Sequence, residues 1–62
     1  MKEIEYFIES NKKIKERLIE EYNFTNPTEE NELKRLEINI ERVDYYIKGL
    51  EDAKKYIESE GE

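Results

Sequence analysis

The sequence predicts an all-α fold: an antiparallel, coiled-coil-like two-helix hairpin that dimerises into a helical bundle. Three features of the 62 residues lead there. Apolar side chains recur at three- and four-residue steps along nearly the whole chain, which is the period of one helix face. Gly numbers 2 and Pro 1, and the charged 45% is mostly Glu and Lys, both good helix formers. Turn chemistry is confined to one stretch, Tyr22-Asn23-Phe24-Thr25-Asn26-Pro27-Thr28. A single domain over residues 1–62 follows, with helix one at about 2–22, a turn at 23–27 and helix two at about 28–60.

Helix one places Ile4, Phe7, Ile8, Asn11, Ile14, Leu18 and Tyr22 on one stripe. In heptad letters Ile4, Asn11 and Leu18 are a positions, with Phe7 and Ile14 at d. Asn23 suits the left-handed conformation just past the helix end, from which Phe24 is expected to fold back on Ile19. Helix two is expected to start with Asn26 as N-cap, Pro27 in its first turn and Glu29 completing a near capping box. Its seam is Leu33, Leu36, Ile40, Val43, Ile47, Leu50, Lys54 and Ile57, apolar throughout except for Lys54. Tyr46 and Ala53 widen that stripe on one flank. Lys54 and Lys55 suit a helix C-terminus, and Gly61 is expected to end the helix.

A short turn makes the helices antiparallel neighbours, with facing residues expected to sum to about 51. That register sets Ile14 against Leu36, Phe7 against Val43 and Ile4 against Ile47, and it pairs Lys15 with Glu37. Helix two is then the longer arm by roughly 18 Å at 1.5 Å per residue. Leu50, Ala53, Tyr56 and Ile57 would lie on an overhang with no partner inside the chain, and each large side chain left wet forgoes about 1.5–3 kcal/mol. A second copy is the expected cover, giving a two-fold dimer. Tyr46, Leu50, Ala53 and Ile57 are the expected oligomerisation residues, with Asn11 as the polar seam residue that sets register and oligomer state.

The composition excludes much chemistry. Without Cys or His there is no disulfide, thiolate, zinc site or imidazole base, so neither metal nor cofactor is expected and catalysis is not. A net charge of −6 argues against direct contact with nucleic acid or anionic membrane, which calls for clustered Lys and Arg. The longest apolar runs, Tyr6-Phe7-Ile8 and Tyr45-Tyr46-Ile47, are too short for a signal peptide or a membrane span.

Two surfaces remain as candidates for function. On helix two, away from the seam, Ile38, Arg42, Tyr45, Gly49, Asp52 and Tyr56 recur at helical steps. Gly49 costs roughly 1 kcal/mol relative to Ala in a helix interior, which close approach of a partner backbone would explain. Tyr and Arg are the side chains most enriched at binding hot spots, so Ile38, Arg42, Tyr45, Gly49 and Tyr56 are the expected partner-binding set. The other surface is an acidic row one heptad apart, Glu30, Glu37, Asp44, Glu51 and Glu58. It reads either as a phosphate mimic for a basic groove or as a solvated flank that sets helix pairing.

The expected function is a small non-catalytic, acidic protein-binding module that self-associates and meets a protein target with a basic surface. The chain favours Phe, Tyr, Ile, Asn and Lys over Gly, Ala, Arg and Pro, the bias of AT-rich codons. That bias suggests a phage-encoded inhibitor of a host defence or nucleic-acid-handling protein, acting in the bacterial cytoplasm. The alternatives are a structural or assembly protein whose oligomer is the function, and an antitoxin-like regulator.

Overall fold

The structure is a computed structural model that describes residues 2–60. Two helices, α1 (Lys2–Phe24) and α2 (Glu30–Glu60), lie antiparallel against each other in a rod of 52 × 14 × 11 Å, and the described residues contain no strand. The helical hairpin is as the periodicity predicts. Both helix boundaries at the turn differ by two residues, and side-chain hydrogen bonds explain why.

α1 does not close at Asn23. No described residue has a positive φ, so Asn23 stays helical, and Phe24 points into solvent at 89% exposure rather than onto Ile19. Thr25 supplies the stop instead. Its hydroxyl donates to the Glu21 carbonyl at 2.7 Å and its N–H to the Tyr22 carbonyl at 3.2 Å, which satisfies two of the helix's last acceptors.

Asn26 caps a turn, not α2. Its Oδ1 accepts from the Thr28 N–H at 3.0 Å and from the Thr28 hydroxyl at 2.9 Å. The Glu29 N–H donates to the Asn26 carbonyl at 2.9 Å, so residues 26–29 form a β-turn with Pro27 at its second position. Helical bonding begins only with the Leu33 N–H on the Glu29 carbonyl at 3.1 Å. Glu29 therefore stands at the N-cap, and Glu30 and Glu32 meet the positive end of the dipole. The expected terminator Gly61 lies outside the described residues.

Because α1 runs on and α2 starts late, the register shifts. Lys15 Nζ lies 2.6 Å from Asp44 Oδ1, Lys12 Nζ 4.0 Å from Glu51 Oε2, and Lys54 Nζ 3.4 Å from Glu5 Oε1. Facing residues thus sum to about 60 rather than 51, a slide of roughly 13 Å along the axis. Lys15 meets Asp44 in place of the expected Glu37. The expected overhang at the far end of α2 is absent: Lys54 lies beside the first turn of α1 and Leu50 is half-buried. The extra length of α2, 31 residues against 23, falls mainly at the turn end. Level ends let the shorter helix cover Leu50 in part, which the other register would leave wet.

Ile8, Leu36 and Ile47 are the buried residues. On α1 the half-buried companions of Ile8 are Ile4, Asn11, Lys15, Leu18 and Tyr22, with the small Ser10 beside them, so the inward row uses chiefly heptad positions a and e. The d residues Phe7 and Ile14, expected inside, are 50% and 44% exposed. On α2 the e residues Asp44 and Glu51 are half-buried beside Ile40, Val43, Ile47 and Leu50. Both helices are therefore rolled toward their e rows, where Lys15 and Asp44 meet. Leu36→Ala or Ile8→Ala is expected to cost roughly 2–5 kcal/mol in denaturant unfolding. Ile38→Ala, on the solvent side, should stay within about 0.5 kcal/mol of the parent.

Candidate functional site

The roll of the helices divides the surface into three faces. The first is charged. Lys15 donates to Asp44, whose second oxygen lies 3.6 Å from Lys48 Nζ, and Lys12 faces Glu51. Lys54 sits between Glu5 at 3.4 Å and Glu58 at 3.9 Å. An open groove along this face is lined by Glu5, Ile8, Glu9 and Lys12 of α1 and by Lys48, Glu51, Lys55 and Glu58 of α2.

Three members of the acidic row, Asp44, Glu51 and Glu58, are thus engaged with lysines of the hairpin itself. Glu30 and Glu37 have no ion-pair partner among the described residues. Of the row, Asp44 and Glu51 reach a lysine of the other helix, while Glu58 pairs within α2. The register expected from the turn alone set Lys15 against Glu37 and so missed this network. Lys12 and Lys15 set against Asp44 and Glu51 carried the signal.

The second face is apolar. Phe7, Ile14, Tyr46 and Ala53 each follow an ion-pairing residue (Glu5, Lys12, Asp44, Glu51) by two positions, which is about 200° around the helix. The ion pairs join the charged flanks of the two helices, so the opposite flanks share the other side of the hairpin. Val43, Leu50 and Ile57 border that side of α2 at heptad spacing, the first two half-buried and Ile57 exposed. Four of the five expected oligomerisation residues, Tyr46, Leu50, Ala53 and Ile57, fall on or beside this face. Asn11 is half-buried at its edge, and its Nδ2 donates to the Phe7 carbonyl at 2.7 Å within the same helix.

The third face is the back of α2. Ile38, Arg42, Tyr45, Gly49 and Tyr56 are all exposed there, Tyr45 at 82%. Ile38, Glu41, Arg42, Tyr45 and Tyr46 line a shallow groove. A Cβ built on Gly49 meets nothing within 4 Å, so the fold itself supplies no packing reason for glycine at this position. The structure brings the predicted partner-binding residues together on one uncovered surface.

One titration is shifted. The Lys15 ammonium donating to Asp44 holds that carboxyl below its ordinary value of 3.8; partial desolvation opposes this, and the charges of Lys15 and Lys48 add to the lowering. A depressed folded-state pKa stabilises the fold above the unfolded value of about 3.9, and the contribution is lost as pH falls through the folded value. Asp44→Asn is expected to lower Tm at neutral pH and to match the parent more closely below pH 4. Charge reversal at Lys15→Glu should be rescued by Asp44→Lys and not by Glu37→Lys.

No described helix is long and apolar enough to cross a membrane. Comparisons of the chain with protein-family models, with curated proteins and with solved structures each return no match.

Proposed function

We propose that this chain is a small, acidic, non-catalytic protein-binding module that self-associates and docks a protein target through the back of α2. The observation that carries the reading is the Tyr45 surface. A tyrosine exposed over most of its area stands one turn from a helix glycine whose side-chain position is open, with Arg42 and Ile38 on the other side. A large aromatic anchor, an arginine and room for close backbone approach are the elements of a binding hot spot. The target is a host protein with a basic surface, and the chain acts on it as a phage-encoded inhibitor. The net charge of −6 and the AT-rich residue usage support that identification. Since much of the acidic row is paired within the hairpin, contact energy comes chiefly from Tyr45, and the net charge serves approach.

A second reading, an assembly protein whose oligomer is the function, is favoured by the apolar face that lies apart from the Tyr45 surface. It predicts rings or filaments in place of a discrete small complex.

Affinity capture from a bacterial lysate, followed by binding measurements on the recovered protein, tests the main reading. Tyr45→Ala combined with Gly49→Leu should abolish the complex while far-UV circular dichroism stays unchanged. Retained binding would rule this surface out. Binding through Tyr45 should survive moderate salt, whereas phosphate mimicry would weaken steeply as screening shortens. Gly49→Ala alone should stabilise the hairpin by about 0.5–1 kcal/mol and weaken the complex.

A further inference from the structure

α2 sorts its charges by face. Five of its six basic residues, Lys34, Arg35, Arg42, Lys48 and Lys55, lie at the heptad positions on its back, where only Glu41 and Asp52 oppose them. All of these side chains are exposed. The other seven carboxylates of the helix stand in the two rows that flank the core. Five basic against two acidic residues leave the back of α2 at +3, in a chain of net charge −6. The surface around Tyr45 therefore has the opposite sign to the molecule that carries it.

The fold does not use these cations. Lys12, Lys15 and Lys54 are the lysines that reach across to the other helix. Lys34, Arg42 and Lys55 have no ion-pair partner among the described residues. Arg35 reaches Glu32 and Lys48 reaches Asp44, both within α2, with the basic side chains 71% and 70% exposed. Arg42 stands one turn from both Ile38 and Tyr45, at spacings that make helix side chains neighbours, and lines a shallow groove with them. An apolar floor edged by a guanidinium suits an apolar side chain next to a carboxylate, which the arginine fork holds through two hydrogen bonds.

Taking the back of α2 as the docking surface proposed above, we infer that it holds an acidic segment of the target protein. Apolar side chains of that segment pack on Ile38 and Tyr45, and its carboxylates meet Arg42 and Lys34. The net charge of the chain acts on approach, whereas within a Debye length of about 8 Å the local cations decide. The basic surface that draws the chain and the acidic segment that touches α2 are thus separate parts of the target. A nucleic acid fits less well, because its charge is an unbroken line. The acidic row through Glu37 and Asp44, about 60° around the helix from Lys34 and Lys48, repels such a line along the whole of α2.

Three synthetic helical peptides, titrated with the full chain by fluorescence anisotropy, test the assignment. One carries a leucine stripe flanked by Glu; in the other two every Glu is replaced by Gln or by Lys. The Glu peptide should bind about 10-fold more tightly than the Gln peptide, and the Lys peptide more weakly than either. Lys34→Glu combined with Arg42→Glu should invert that order with circular dichroism unchanged, since both side chains are exposed. Tyr45→Ala should weaken the Glu-peptide complex.

Failure of the Glu peptide to bind overturns the assignment, as does equal or tighter binding of the Lys peptide to the parent chain. If Tyr45→Ala still abolishes Lys-peptide binding, the docking surface itself stands. Glu-peptide binding that survives both Tyr45→Ala and the double charge reversal overturns the assignment and the docking surface together. Tighter binding of a single-stranded oligonucleotide than of the Glu peptide, lost on the same charge reversal, gives the surface to nucleic acid instead.

Discussion

Two helices side by side touch along one strip of each, and everything else in this molecule follows from which strip is used. A chain with apolar residues at a, d and e on α1 has more to hide than one contact line can cover. The hairpin turns its a and e rows inward, so the d residues Phe7 and Ile14 face out. The buried core is then small, Ile8, Leu36 and Ile47. A fold resting on so few enclosed side chains has a large share of its apolar surface still in contact with water.

The lysine–carboxylate contacts explain why the e rows face inward. Lys15, Lys12 and Lys54 each reach across to a carboxylate of the other helix. Each such pair is weak while partly exposed, of order 0–1 kcal/mol. Their weight lies in specificity: three lysines meet carboxylates of the other helix at once in this register, whereas the one summing to 51 pairs Lys15 with Glu37 instead. Their lysine stems also cover apolar surface at the edge of the core. The same contacts give the hairpin one charged side and one apolar side, and they leave the Tyr45 surface untouched on the back of α2.

The helices, the single turn and the antiparallel arrangement were legible in the sequence because each rests on local rules: a 3.6-residue period, sparse Gly and Pro, and one cluster of turn residues. The grouping of Ile38, Arg42, Tyr45, Gly49 and Tyr56 on one exposed surface was legible for the same reason. The register was not. It depended on whether Asn26 capped a helix or a turn, and Asn26 has the chemistry for either. Thr25 decided the other half of the question by capping α1 two residues later than Asn23 would have. Those small choices account for part of a shift of about two and a half helical turns in the facing residues, which also moved the overhang and the Lys15 partner. A seam with apolar residues at nearly every a and d position of α2 is permissive of such slides. Only the charges distinguish one register from the next.

The most direct test of the account is the set of nuclear Overhauser contacts made by the Ile8 methyl groups. With level ends and the e rows inward, Ile8 shares a groove with Glu51 and Lys54, and contacts to those side chains are expected. Contacts joining the Phe7 ring to Val43, with Ile8 lacking any to Glu51 or Lys54, would contradict both the register and the roll of the helices.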